Sequence, residues 1–412
     1  TSSFLVLIAA LVFAAPAMSA SVRYAEPSGD GPFLTCPASD PCSLTNATSS
    51  AYTVDGDEVV LLPGVYSQSA TQVTIDEAVN VHGTGAPADT RIISSSSVAV
   101  RLGSAGTYLS DVQIESAGGS SALQMIDGTA ERVVALSSEG FGCLLLGKGT
   151  IRSSACIGTH PTYGTGLSDQ ATAGANLVTL RNVTAIGVQY GLNSSTSNPG
   201  TVATINAKSV IIKGGLKDII AVATTGTTLT VTMDHSNYST TDTSGPGTKT
   251  ITSTALNSNQ TAAPIFVNAT ANDFHQAASS PTVDAGVVDG SSGTTDFDRQ
   301  ARTSGAAPDI GADEFYVAPT PPVIPAVAPV TKISKKPKKK SSVRKAKFKF
   351  AKTEPGLKFK CKLDKGKYKT CSSTYSKTVK VGKHKLSVYA ISAAGLADAT
   401  PAIYKWTVTP KK

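Results

Sequence analysis

Between residues 51 and 316 the apolar positions come in short runs of Val, Ile, Leu and Thr, separated by Gly, Ser and Asn. No stretch keeps a helical apolar period, so the pattern predicts an all-β region. Five runs look alike: 109–114 LSDVQI, 131–136 ERVVAL, 153–157 SSACI, 181–186 RNVTAI and 208–212 KSVII; 235–239 HSNYS is a weaker sixth. Aligning them on Asp111, Arg132, Ser154, Asn182, Ser209 and Ser236 gives intervals of 21, 22, 28, 27 and 27 residues.

One short strand recurring at this period predicts a β-solenoid, in which a coil buries its apolar side chains only by stacking on its neighbours. The alignment predicts an interior column of Val112, Val133, Ala155, Val183 and Val210. At about 4.8 Å per level, roughly ten coils would span about 45–50 Å. A β-sandwich array fits less well, because it wants a turn every 8–12 residues or so and clean two-fold alternation.

The pattern changes twice outside this region. Residues 4–15, FLVLIAALVFAA, followed by APAMSA, have the length and the small residues of a secretory signal and are too short to span a bilayer. Residues 1–20 are therefore expected to be a signal peptide, although neither Met nor a basic segment precedes it. Residues 317–342 are Pro-rich, then Lys-rich, and predict a linker. From 343 to 412, apolar and Lys positions alternate, with Phe348, Phe350, Phe359, Cys361 and Leu386 on one face, which predicts a small β-sandwich. In this reading residues 332–345 hold no core positions.

Motifs at both ends of the solenoid carry a resemblance. Residues 56–66, GDEVVLLPGVY, resemble the opening coil of pectate-lyase-like right-handed parallel β-helices, and 24–45 resemble their N-terminal cap. Residues 296–315, DFDRQARTSGAAPDIGADEF, are similar to the closing motif of the bacterial "choice-of-anchor Q" β-helix proteins. Cys361, Leu363, Asp364, Gly366 and Cys371, with Gly382 and Trp406, resemble a bacterial immunoglobulin-like module. The resemblance implies a right-handed parallel β-helix over 21–316 followed by an immunoglobulin-like domain over 343–412.

The six cysteines fall as sequence neighbours, Cys36 with Cys42, Cys143 with Cys156 and Cys361 with Cys371. This is the simplest of the pairings they allow, and it agrees with export to an oxidising compartment. No C-x-x-C occurs and the five His are scattered, so no metal or other cofactor is expected. Asn46, Asn182, Asn193, Asn237, Asn259 and Asn268 head Asn-x-Ser/Thr tripeptides, which matter only in a glycosylating host.

Catalytic signatures of polygalacturonases are absent, and no Asp pair sits on the repeat strands to hold Ca²⁺ in the lyase manner. Arg181, Lys208 and His235, spaced 27 and 27, are expected to stack as a row of cations beside Asp234. Such a row would bind the acidic groups of a glycan. Asp234, His235 and Ser236 are not a triad, because triad members converge from separate segments. Asp296, Asp298, Arg299, Arg302, Asp309 and Asp313 are expected to form a charged cap over the last coil edge rather than a Ca²⁺ site.

Charge divides the chain. Residues 1–331 hold 13 Lys+Arg and 26 Asp+Glu; residues 332–412 hold 24 and 3. The imbalance of +21 is carried by Lys, with Arg344 the single Arg, which favours diffuse attraction over bidentate readout. The function expected is non-catalytic glycan recognition or adhesion outside the cell, with the basic end drawn to an anionic wall polymer or surface. Specific nucleic-acid binding is not expected. The competing class is a lyase or hydrolase of an acidic polysaccharide.

Overall fold

The computed structural model describes residues 20–253, 258–316, 328–351, 355–393 and 395–411. The expected signal peptide lies, but for Ala20, outside them. The chain forms two compact units, divided between Val317 and Ala318. No helix among the described residues is long and apolar enough to cross a membrane.

The N-terminal unit is a parallel β-helix. A 13-stranded sheet runs from Val22–Ala25 to Thr248–Ser253, and an 8-stranded sheet runs from Val73–Ile75 to Thr241–Ser244. Among the described residues, eight levels, fewer than the ten expected, therefore carry strands in both sheets. The larger sheet folds into two faces along a corner. In Tyr108–Ser116, Thr129–Ser137, Gly149–Gly158 and Ala175–Gly187, one residue with positive φ bends a continuous strand through that corner. The corner residues are Asp111, Arg132, Ser153 and Asn182, with Ser209 and His235 on the next levels, at φ between 43° and 60°. Residues before the corner form the first face, and residues after it form the second.

Four of the six alignment anchors are these corner residues. In the third and sixth coils the register is one residue off, because Ser153 and His235 take the corner. The interior column is thus Val112, Val133, Ser154, Val183, Val210 and Ser236, with Val112 opposite Val133 and Ser154 opposite Val183. Ser154 is tolerated inside because its hydroxyl donates to Arg152 O (2.7 Å) and accepts from Val133 N (3.0 Å). Ser236 does the same with Asp234 O (2.8 Å) and Val210 N (3.2 Å). Ala155, expected inside, packs under Phe274 on the outer side of the second face.

The first coil is covered by residues 26–53. Leu44 and Ala47 of the short helix Leu44–Ala47 join the core, and Cys36–Cys42 closes the loop before it. The other two cysteine pairs also form as expected, Cys143–Cys156 in the rod and Cys361–Cys371 in the C-terminal unit.

One interior group opposes the fold. Asp169 is 1% exposed and stacks between Leu145 and Ser194. Its Oδ2 accepts from Ser194 Oγ (2.6 Å), but its Oδ1 has no partner among the described residues. Burial pushes the carboxyl up to about 6, against the pull of Ser194. A carboxyl raised on folding supports the fold fully at pH below its unfolded value, and that support is lost as pH rises through about 6. Asp169→Asn is therefore expected to stabilise the rod by about 2 kcal/mol above pH 7, with the gain vanishing near pH 4. Urea denaturation followed by far-UV dichroism at both pH values checks this; an equal effect at both would refute it.

Residues 265–315 return along the outside of the rod. The hairpin of Phe266–Asn268 and Asp273–Gln276 places Phe274 on Ala155 and Ile157 of the second face. The chain then follows the corner as a strap. Ser209 Oγ donates to Val287 O (2.7 Å), Ser153 Oγ to Thr295 O (2.7 Å) and Arg299 Nη1 to Thr84 O (2.8 Å). On its way back Asn182 Nδ2 donates to Asp309 O (3.2 Å). Gly311 lies so close that a Cβ there would sit 2.7 Å from Ile211 Cδ1. The closing motif thus does not cap the last coil edge as expected. It lines the corner, because corner side chains expose the hydrogen-bonding groups that the strap needs, while residues 259–262 bond to the last corner.

The C-terminal unit has a three-stranded and a five-stranded sheet around Phe348, Phe350, Phe359, Leu386, Val388 and Trp406. It begins earlier than the composition change indicates. Ile333–Lys335 pairs with Lys345–Phe350, Lys340–Ser341 pairs with Ala402–Val408, and Thr331 N donates to Asp398 Oδ2 (2.7 Å). Residues 332–345 therefore do contribute to this fold, Ile333 packing against its core. Pro and Lys richness reads as linker because Lys on narrow edge strands leaves little apolar pattern.

Candidate functional site

The first face carries a charged ladder. Strand register places Ser110, Glu131, Arg152, Arg181, Lys208 and Asp234 on successive levels. Arg181, Lys208 and Asp234 come together as expected, but His235 leaves the row. It sits at the corner, since Ser236 turns inward, and Asp234 takes the place beside Lys208. Each of these basic side chains meets a carboxylate. Arg181 Nε meets Asp289 Oδ2 (2.9 Å), Lys208 Nζ lies between Asp289 (3.3 Å) and Asp234 (3.4 Å), and His235 Nδ1 meets Asp234 Oδ1 (2.7 Å). Burial opposes ionisation of Asp234, but His235 and Lys208 outweigh it and hold its carboxyl below the usual range. Burial likewise opposes ionisation of Asp289, and Ser291 N, Arg181 and Lys208 outweigh it. The row is thus a neutralised ladder over a recess of about 200 Å³. Sequence reasoning missed Asp289 because it arrives from the strap, far along the chain.

A second site lies between the second face and the hairpin, where a cavity of about 420 Å³ opens beside Phe274. Val134, Leu136, Ala155 and Ile157 give it an apolar floor. One wall holds Arg91 paired with Glu115 (2.7 Å), which also accepts from Gln113 Nε2 (2.7 Å). The other holds His275, 4.8 Å from the Phe297 ring, with Nε2 on Asp298 Oδ2 (2.7 Å) and Nδ1 on Asp273. Asp298, then Asp273, lift the imidazole to about 10 against burial, so a proton there balances the carboxylates. Asp313 stands behind them and accepts from Gln276 N (2.5 Å). Burial raises it to about 7, while Gln276 N and His275 pull down. No sequence signal marked His275, because Asp298 and Asp313 reach it from the closing motif, far along the chain.

The third candidate is on the C-terminal unit. Strand pairing gathers Lys383, Lys385 and Lys405 beside Lys336, Lys339, Lys340 and Lys365, around an open groove of about 1150 Å³. Lys336 Nζ lies 5.0 Å over the Tyr404 ring. The described acids of this unit are already engaged. Asp364 accepts from His384 Nδ1 (2.9 Å) and Lys385 N (2.8 Å), and Asp398 from Thr331 N and Thr400 N. Those bonds hold Asp398 at about 2 despite burial. No family model, curated protein or solved structure matches this chain. The contrast between the two units is then the most direct guide. In the rod, Arg91, Arg101, Arg132, Arg152, Arg181, Lys208, Lys213 and Arg299 all form ion pairs. Among the described residues of the C-terminal unit, no Lys or Arg forms one.

Proposed function

We propose that this is an extracellular attachment protein, whose C-terminal unit binds anionic polymers through its lysine groove. The observation that carries this reading is the set of lysines around one groove with no acidic partner among the described residues. Asp364 also lines the groove, but its carboxylate is taken by His384 and Lys385 N, so lysines in no ion pair keep a positive field that a polyanion can neutralise, with counterions released. The three closed disulfides support an oxidising compartment. On this reading the rod is a right-handed pectate-lyase-like β-helix of the choice-of-anchor Q kind and the C-terminal unit an immunoglobulin-like module. The rod, at −13 over residues 1–331, would be repelled by the same polymer.

The test uses the full chain, polyphosphate and polygalacturonate as probes, and Lys383→Gln/Lys385→Gln/Lys405→Gln as the variant. Affinity is expected to fall steeply as salt rises. The variant should bind at least tenfold more weakly, with a salt slope shallower by roughly one for every lysine that no longer neutralises the polymer. Lys148→Gln on the rod should change nothing. Salt-independent binding, or binding that survives the triple variant, would overturn the proposal. Release of unsaturated or reducing-end products from polygalacturonate would move the chain to the enzyme class.

A further inference from the structure

The geometry points to a divalent metal site of the zinc class formed by His275, Asp298 and Asp313. Their ligand atoms, one from each side chain, all lie within 4.8 Å of one another. They come from three segments: the hairpin strand Asp273–Gln276, the turn after Phe297, and the end of the closing motif. Three features distinguish this cluster from a surface patch of acids.

The first is the ligand set. Imidazole nitrogen with two carboxylate oxygens suits Zn²⁺ or a neighbouring transition metal, whereas Ca²⁺ and Mg²⁺ prefer oxygen alone. The second is the group behind the imidazole. Asp273 takes Nδ1, leaving Nε2 aimed at Asp298, the arrangement that fixes the ring of a metal-bound histidine. The third is charge. Among the described residues, Asp273, Asp296, Asp298, Asp309, Asp313 and Glu314 gather around two cations, Arg302 and His275. Asp296, Asp309, Asp313 and Glu314 are all at most 4% exposed. A divalent ion bound there would be held by acids that outnumber these cations.

Binding replaces the Nε2 proton, which leaves to solvent, with a metal–nitrogen bond. Nε2 and Asp298 Oδ2 are 2.7 Å apart, and ligands of a tetrahedral zinc stand roughly 3.4 Å apart, so Asp298 must open by under about 1 Å. His275 and Asp298 both line the cavity of about 420 Å³, so the fourth position faces space that admits water. The ion would join hairpin, turn and closing motif, and so lock the strap to the second face.

The test is metal content of the full, tag-free chain after chelator treatment, incubation with Zn²⁺, and dialysis. About one equivalent is expected in the wild type, with loss of that equivalent in Asp313→Asn and His275→Ala. Absence of Zn²⁺ uptake, or full uptake by both variants, overturns the site. Where a variant fails to fold, ¹⁵N spectra of wild-type histidine decide: Zn²⁺ should shift Nε2 of His275 and leave His384 unmoved. An unmoved His275 overturns the proposal too. Mn²⁺ and Ca²⁺ run in parallel, and preference for Ca²⁺ would refute the zinc-class assignment.

Discussion

Replacing Arg23 by Met is expected to destabilise the rod by about 3–5 kcal/mol. Arg23 is 1% exposed, on the edge strand Val22–Ala25. Its guanidinium donates to the carbonyls of Phe33 (2.7 Å), Leu34 (3.0 Å), Ala47 (3.2 Å), Tyr52 (3.3 Å) and Asn46 (3.3 Å). These carbonyls belong to the loop and short helix that cover the first coil. One planar fork therefore ties the covering segment to the sheet it covers. Met would fill similar volume but leave the carbonyls of Phe33, Leu34 and Tyr52 with no donor among the described residues, while Ala47 O keeps Thr53 Oγ1 and Asn46 O keeps Ser49 N. Lys would keep charge but offers three donors at one point, so Arg23→Lys should recover little. Loss of the cover would bare the first strand's open edge, so soluble aggregates should accompany destabilisation. Far-UV dichroism follows the rod. The single tryptophan, Trp406, lies in the C-terminal unit and provides an internal control by fluorescence. An unshifted dichroism midpoint would show that the covering segment holds without Arg23.

Much of the rod was legible because a solenoid repeats its requirements. Each coil needs a corner and an inward apolar side chain, and Asp111, Arg132, Asn182 and Ser209 with the valines that follow them carry both. The pattern slipped where serine took the apolar place. Ser154 and Ser236 were aligned with residues that turn out to form the corner, because a hydroxyl looks polar, yet inside the rod each satisfies itself on neighbouring backbone. That slip moved His235 into a row it does not join. The disulfides were legible because each closes a short loop, with separations of 6, 13 and 10 residues. Partners from distant segments were not: Asp289 on Arg181, or Asp298 on His275, depends on where the strap runs. Composition likewise hid Thr331 and Ile333, whose roles come from pairing rather than from hydrophobic pattern. The lysine excess was plain from counting, but only the fold shows that the described acids nearby are already engaged.

Replacing Arg302 by Met is expected to detach the strap while the interior of the rod stays folded. Arg302 is 3% exposed and donates to Ala312 O (2.6 Å), Ser153 Oγ (3.1 Å) and Gly311 O (3.2 Å). It thereby holds both arms of the closing motif to each other and to a corner residue. Asp296, Asp309, Asp313 and Glu314 surround it. Backbone N–H groups satisfy many of their oxygens, such as Glu314 Oε2 with Asp309 N (2.9 Å) and Asp309 Oδ2 with Phe315 N (2.6 Å), but those amides bring no net charge. Without Arg302 the carboxylates repel one another in a place where water screens poorly, and the local cost is about 3–5 kcal/mol. Ser153→Ala removes one hydroxyl and should cost only about 1 kcal/mol. The interior column depends on stacking between coils, and none of its members bonds through a side chain to the strap, so the two parts should separate. Hydrogen exchange should accelerate together across 284–315 and leave 108–116 and 129–137 protected. Val134, Leu136 and Ile157 would lose their cover and bind a hydrophobic dye. Equal acceleration throughout the rod would mean that strap and solenoid fold as one unit, and unchanged exchange in 284–315 would mean that the corner hydrogen bonds alone hold the strap.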